Sequence, residues 1–100
     1  MDDKIIELAK QLNDLYELSY NQIKLDIERI IKSKNTNLKL IENYLDRLLN
    51  IPTDKSYQLL KKLCYYCLNF NKEIADFYLN EFKEIYGDEE LKTLKKDYKP

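Results

Sequence analysis

An all-α fold, a compact bundle of four to five helices, is predicted by three features of this sequence. It has one glycine and two prolines in 100 residues, too few for the reversals that an all-β or α/β domain requires. Apolar residues recur at spacings of three and four along nearly the whole chain, the period of a helix with one buried face. Asn, Thr and Asp stand where that pattern is interrupted, and these side chains close the open N–H groups of a helix start.

The first helix is expected over about residues 3–33. Ile5, Leu8, Ala9, Leu12, Leu15, Tyr16, Tyr20, Ile23, Ile27, Ile30 and Ile31 fall on one side of a helical projection. Asp3 stands at the positive end of the helix dipole and Lys32 and Lys34 at the negative end. The stripe keeps phase for a length of roughly 45 Å at roughly 1.5 Å per residue. One signal opposes continuity: Ser19-Tyr20-Asn21-Gln22 fits a capping box that would start a new helix. The helix is therefore long and either continuous or kinked near Ser19. Such a helix can take two shorter helices along its length, or a second copy of itself.

A polar connector, 34–37, leads to a second helix over 37–50, with Leu38, Ile41, Tyr44, Leu45, Leu48 and Leu49 facing inward. Ile51-Pro52 ends it, because the residue before proline is pushed out of the helical region. The third helix, about 55–69, has a broad apolar arc: Tyr57, Leu59, Leu60, Leu63, Cys64, Tyr66, Cys67 and Leu68. An arc that wide predicts a central helix with neighbours on more than one side. Asn71 caps the fourth, about 72–86, whose inward set is Ile74, Ala75, Tyr78, Leu79, Phe82, Ile85 and Tyr86, and Gly87 stops it. A thin stripe of Leu91, Leu94 and Tyr98 predicts a short last helix, about 89–97, within a loosely packed tail, 88–100. The N-terminal part is expected to pack onto 56–86, which holds most of the aromatic mass. Residues 56–87 have the length of a tetratricopeptide unit, without its residue pattern or a second repeat.

One hundred residues make a single domain, 1–100, with a modest core. A hydrophobic fraction of 44% and a charged fraction of 35% argue against disorder. The net charge of −1 gives no global pull toward nucleic acid or an anionic membrane. The longest apolar run, 63–68, is far too short to span a bilayer. The acidic start MDDKII carries no signal pattern, so a cytoplasmic protein with two reduced thiols is expected.

Cys64-Tyr65-Tyr66-Cys67 has the shape of a redox motif, but it falls mid-helix on the buried arc with no strand before it. A thioredoxin-like thiolate needs a helix N-terminus to lower its pKa, and zinc needs four ligands where this chain has two cysteines and no histidine. Both cysteines read as small packing residues. Without histidine the commonest general base is missing, and Ser19, Ser33 and Ser56 stand at helix ends beside no base. No catalytic residue, cofactor site or metal site is expected.

Local charge is more informative than net charge. Residues 72–90 hold seven acids against Lys72 and Lys83. On the outward side of the fourth helix, Glu73, Asn80, Glu81, Glu84 and Asp88 surround Phe77. An aromatic ringed by carboxylates suits a basic protein surface, and Tyr65, on the polar side of its helix, is a second candidate contact. The alternative is nucleic-acid association through Lys61, Lys62 and Tyr65 together with a basic patch of Arg29, Lys32, Lys34 and Lys39. No helix has a basic recognition face, which makes that the weaker reading. A homodimer through the first helix is a third. In size and helical outline the chain is similar to bacteriocin immunity proteins and phage- or plasmid-borne inhibitors. That architectural similarity implies a protein-binding inhibitor, immunity or accessory regulatory role.

Overall fold

In the computed structural model, which describes residues 3–96, the chain forms five helices, and no strand occurs among the described residues. They are α1 (Asp3–Lys32), α2 (Leu38–Leu49), α3 (Asp54–Cys67), α4 (Lys72–Tyr86) and α5 (Asp88–Leu94). The all-α bundle read from the sequence is the observed architecture.

α1 is one continuous helix. The capping box at Ser19 does not form; the Gln22 amide instead donates forward to Asp26 Oδ1 at 3.4 Å, as a helix-surface pair does. The helix ends in a Schellman turn, with Asn35 N–H donating to the Ile30 carbonyl at 3.0 Å and Lys34 N–H to that of Ile31 at 3.1 Å. Lys34 sits at φ 56°, the left-handed position where glycine is usual. Lys34→Gly is therefore expected to raise stability by about 0.5–1 kcal/mol, because the relieved strain outweighs the added freedom of the unfolded chain. An unchanged or lowered urea midpoint would contradict that.

The later starts use the caps expected of them. Asn37 Oδ1 accepts from Leu40 N–H at 3.2 Å, Thr53 Oγ1 from Ser56 N–H at 3.2 Å, and Asn71 Oδ1 from Ile74 N–H at 3.1 Å. Gly87, at φ 98°, joins α4 to α5 with no intervening loop. α5 is a short helix ending at Leu94, which is buried, with Leu91 half-buried. The expected helix reached 97, and residues 97–100 lie outside those described.

α3 is the centre of the bundle, in contact with α1, α2, α4 and α5. Its Leu59, Leu60, Leu63, Cys64 and Cys67 are buried among Ile23, Ile27 and Ile30 of α1, Ile41, Leu45 and Leu48 of α2, and Ile74, Ala75, Leu79 and Phe82 of α4. Four tyrosines tie the helices together at the edge of this core. Tyr44 donates to Asp26 Oδ2 of α1 at 2.8 Å, and Tyr66 to the Asn35 carbonyl at 2.6 Å. Tyr78 donates to Asp46 Oδ1 of α2 at 2.8 Å. Tyr86 donates at 2.8 Å to the Leu49 carbonyl, one of the acceptors left open at the end of α2. Each ring adds apolar area while its hydroxyl satisfies a polar group between elements.

Three inward expectations are corrected. Leu38 is 37% and Ile85 54% exposed. More consequentially, the N-terminal part of α1 does not pack onto the later helices: residues 3–15 are all exposed, and burial begins at Tyr16 and Tyr20. The reason is length. α1 has 30 residues where α2 and α3, the helices packed on it, have 12 and 14, so helices of about 18–21 Å can cover only half of one of about 45 Å. The overhang accounts for a long dimension of 50 Å and a radius of gyration of 14.9 Å, against about 13 Å for a compact domain of this size.

Candidate interaction surfaces

Two exposed faces stand out. The first is the outer side of α4. Its inner side is fixed by buried Ile74, Ala75, Tyr78, Leu79 and Phe82, which turns Phe77 outward at 56% exposure. The Phe77 ring meets the Tyr78 ring edge-on, with centroids 5.1 Å apart. Glu73, Asn80, Glu84 and Asp88 are exposed and Glu81 is half-buried, so the acidic surround of Phe77 has the composition expected. Asp88 is paired with Lys83 at 3.4 Å. Glu73, Glu81 and Glu84 have no cation within salt-bridge reach among the described residues.

Sequence reasoning missed Ile85 here. Its spacing from Phe82 continues the apolar stripe and predicts a core position, yet it is 54% exposed. By helical geometry it lies about 80° round from Phe77 and about 12 Å further along, on the flank of the same acidic face. Its position, between the inward stripe and the outward face, was the signal that could have placed it there. The face therefore offers two apolar side chains among carboxylates.

The second surface is the overhang. Ile5, Ile6, Leu8, Leu12, Leu15 and Leu18 are each at least half exposed, from 50% for Leu12 to 68% for Leu18. Single exposed apolar residues are common, but a contiguous aliphatic stripe of this length marks a contact site. Ile6 and Leu18 did not belong to the stripe read from the sequence; they flank it.

Tyr65 does not fit its expected role. It is half-buried, its hydroxyl is shielded from solvent, and the Lys61 ammonium lies 5.6 Å from its ring centroid. A half-buried ring with a shielded hydroxyl is partly taken up by its own molecule. The basic candidates are also divided. Arg29 lines a hollow between α1 and α2 with Asp26, Ser33 and Tyr44. Lys62 lines another between α1 and α3 with Tyr20, Lys24, Asp54 and Lys55. Each hollow includes an acid. Lys32, Lys34 and Lys39 are exposed around the α1–α2 turn, and Lys61 is half-buried on α3.

Cys64 and Cys67 are free and fully buried. Burial pushes the Cys67 thiol up to about 11 and raises that of Cys64 further, with the neighbouring Cys67 and Asp76 adding to burial for the latter. Both shifts run opposite to what a reactive thiolate needs. No group of three or more His, Cys, Asp or Glu residues with metal-binding geometry occurs among the described residues. No helix among them is long and apolar enough to cross a membrane. Compared with protein-family models, with curated proteins and with solved structures, the chain matches none of them.

Proposed function

We propose that this chain is a non-catalytic, cytoplasmic protein-binding module, an inhibitor, immunity or accessory regulatory protein. It engages a partner with a basic surface through the acidic, aromatic-centred face of α4. The observation that carries this reading is Phe77, more than half exposed on a helix whose opposite side is locked into the core, with Glu73, Asn80, Glu81 and Glu84 around it. A rigid aromatic anchor supplies binding energy at low entropic cost, and unpaired carboxylates steer a cationic surface toward it and reject acidic ones. Ile85 extends the apolar centre. Tyr65 contributes little to such a contact.

The test compares wild type with Phe77→Ala/Glu81→Lys in capture of cytosolic partners, followed by affinity measurement on whatever wild type retains. The expected result is a loss of at least about 100-fold for the double variant, with wild-type association slowing as salt is raised. Equal recovery by both proteins would refute the reading. The competing nucleic-acid reading uses Lys61, Lys62 and Tyr65 together with the patch of Arg29, Lys32, Lys34 and Lys39; Arg29 and Lys62 line separate hollows that each include an acid. A mobility shift at low ionic strength is its check.

A further inference from the structure

We infer that the exposed half of α1 is one side of an antiparallel helix pair formed with a second copy of this chain. The inference stands apart from the α4 face, since it uses different residues on a different element.

The exposed stripe is an extension of the core face. Ile5 and Ile23, Ala9 and Ile27, and Leu12 and Ile30 are each eighteen residues apart, five turns at about 3.6 residues per turn, and so share a direction. Over the second half of α1 that direction is covered by α2 and α3, and Ile23, Ile27 and Ile30 are buried. Over the first half the covering layer is missing. Ile5, Leu8, Leu12 and Leu15 follow one another at three, four and three residues, two heptads of an unbroken aliphatic seam. Lys4, Ala9, Gln11 and Tyr16 stand beside the seam, while Glu7, Lys10, Asp14 and Glu17 project away from it. Lys4 is the single charge on the flanks among the described residues, and in the antiparallel pair its two copies lie at opposite ends, so no like charges oppose each other across the seam.

What fits under the overhang is an apolar helix face of about 20 Å, the length of the uncovered seam. The shoulder where the bundle begins is a hollow lined by Asn13, Asp14, Tyr16, Tyr20, Thr53 and Lys55, with the Lys55–Glu17 pair at 3.2 Å beside it. The overhang of a second molecule meets this description. A parallel arrangement would force two bundles into one space, since each lies on the seam side of its own α1. Antiparallel pairing sends them to opposite ends. With the first turn of each copy against the other's shoulder, Ile5 meets Leu15 and Leu8 meets Leu12, and a two-fold axis passes through the seam between Leu8 and Leu12. Covering the seam and its flanks on both copies buries on the order of 1,000 Å², the area at which specific interfaces begin. The result is a weak, reversible dimer that carries an α4 face on each subunit.

Sedimentation equilibrium on the full chain tests this. Wild type is expected to dimerise with a dissociation constant on the order of 10 µM, and Leu8→Glu/Leu12→Glu to weaken it at least about 100-fold with the helical circular dichroism of the bundle retained. Both residues are exposed in the single chain, so the variant does not empty the core. Orientation is read by mixing Ile5→Cys with Leu15→Cys under mild oxidation, where the mixed disulfide should dominate. A wild type that stays monomeric at about 200 µM, a glutamate variant that dimerises as well as wild type, or predominant Ile5→Cys self-crosslinking would each overturn the inference. None of these outcomes bears on partner capture by Phe77.

Discussion

Phe82→Ala is expected to remove about 3–5 kcal/mol of folding stability, a large part of the roughly 5–15 kcal/mol that holds a domain of this size. Phe82 is 1% exposed. Its ring meets Tyr57 edge-on with centroids 5.0 Å apart and Tyr86 at 4.8 Å, and those two rings are themselves 4.8 Å apart. Removing the middle ring loses its own burial, two aromatic contacts and the packing of both neighbours. The cavity opens where α3, α4 and α5 converge, beside a hollow lined by Tyr57, Phe82 and Leu94. Tyr86 would also lose the ring that holds its hydroxyl against the Leu49 carbonyl. Phe77→Ala is the control, five residues earlier on the same helix but on the exposed side, where a change within about 0.5 kcal/mol is expected. Urea denaturation of the two variants beside wild type is the measurement, and similar midpoints for both would contradict this account of the core.

The second large effect is loss of stability in alkali. Cys64 and Cys67 have ordinary thiol values of 9.0, and burial raises both in the folded state, that of Cys67 to about 11. Tyr78 is likewise raised from 10.0, first by burial and then by its hydrogen bond to Asp46. All three are acids whose neutral form the fold prefers. Below the unfolded values, both folded and unfolded chains keep the protons and the contribution is fully present. As pH rises above those values the unfolded chain releases protons that the folded chain holds, so stability falls by about 1.4 kcal/mol per pH unit for each group. The fall ends only above the folded value. Between about pH 8.5 and 10.5 the two thiols alone should cost about 3–4 kcal/mol, with Tyr78 adding to the slope above pH 10. Cys64→Ala/Cys67→Ala, though less stable at neutral pH, should lose correspondingly less over the same interval. A wild-type stability that stays flat to pH 10.5 would show that the thiols are not buried as described.

Most of the local architecture was legible in the sequence, because short-range physics decides it. Asn37, Thr53 and Asn71 cap the helices they precede, and their side chains need only the N–H groups three residues on. The arc of α3 announced a central helix, since an apolar face that wide must be covered from several sides. The surround of Phe77 was legible too, because the opposite side of α4 carries an uninterrupted inward set. Where the reading failed, the deciding information was long-range. Ile85 fits an inward stripe by spacing, yet nothing packs over it at the end of α4. Tyr65 falls on the polar side of α3 by projection, but it is half-buried with its hydroxyl shielded from solvent. The Ser19 capping box has the right residues, yet α1 runs unbroken through it and Gln22 donates forward to Asp26 instead.

The order of helices, their caps and which face of each is apolar belong to the sequence alone, since each depends on neighbours within one or two turns. The extent to which those faces are covered does not. Ile5 and Ile23 are chemically alike, point the same way along one helix and stand in the same stripe, yet one is 61% exposed and the other 2%. Only the three-dimensional arrangement separates them, because α2 and α3, the helices packed on α1, are at most half its length and their reach, rather than any residue in α1, sets where the core ends.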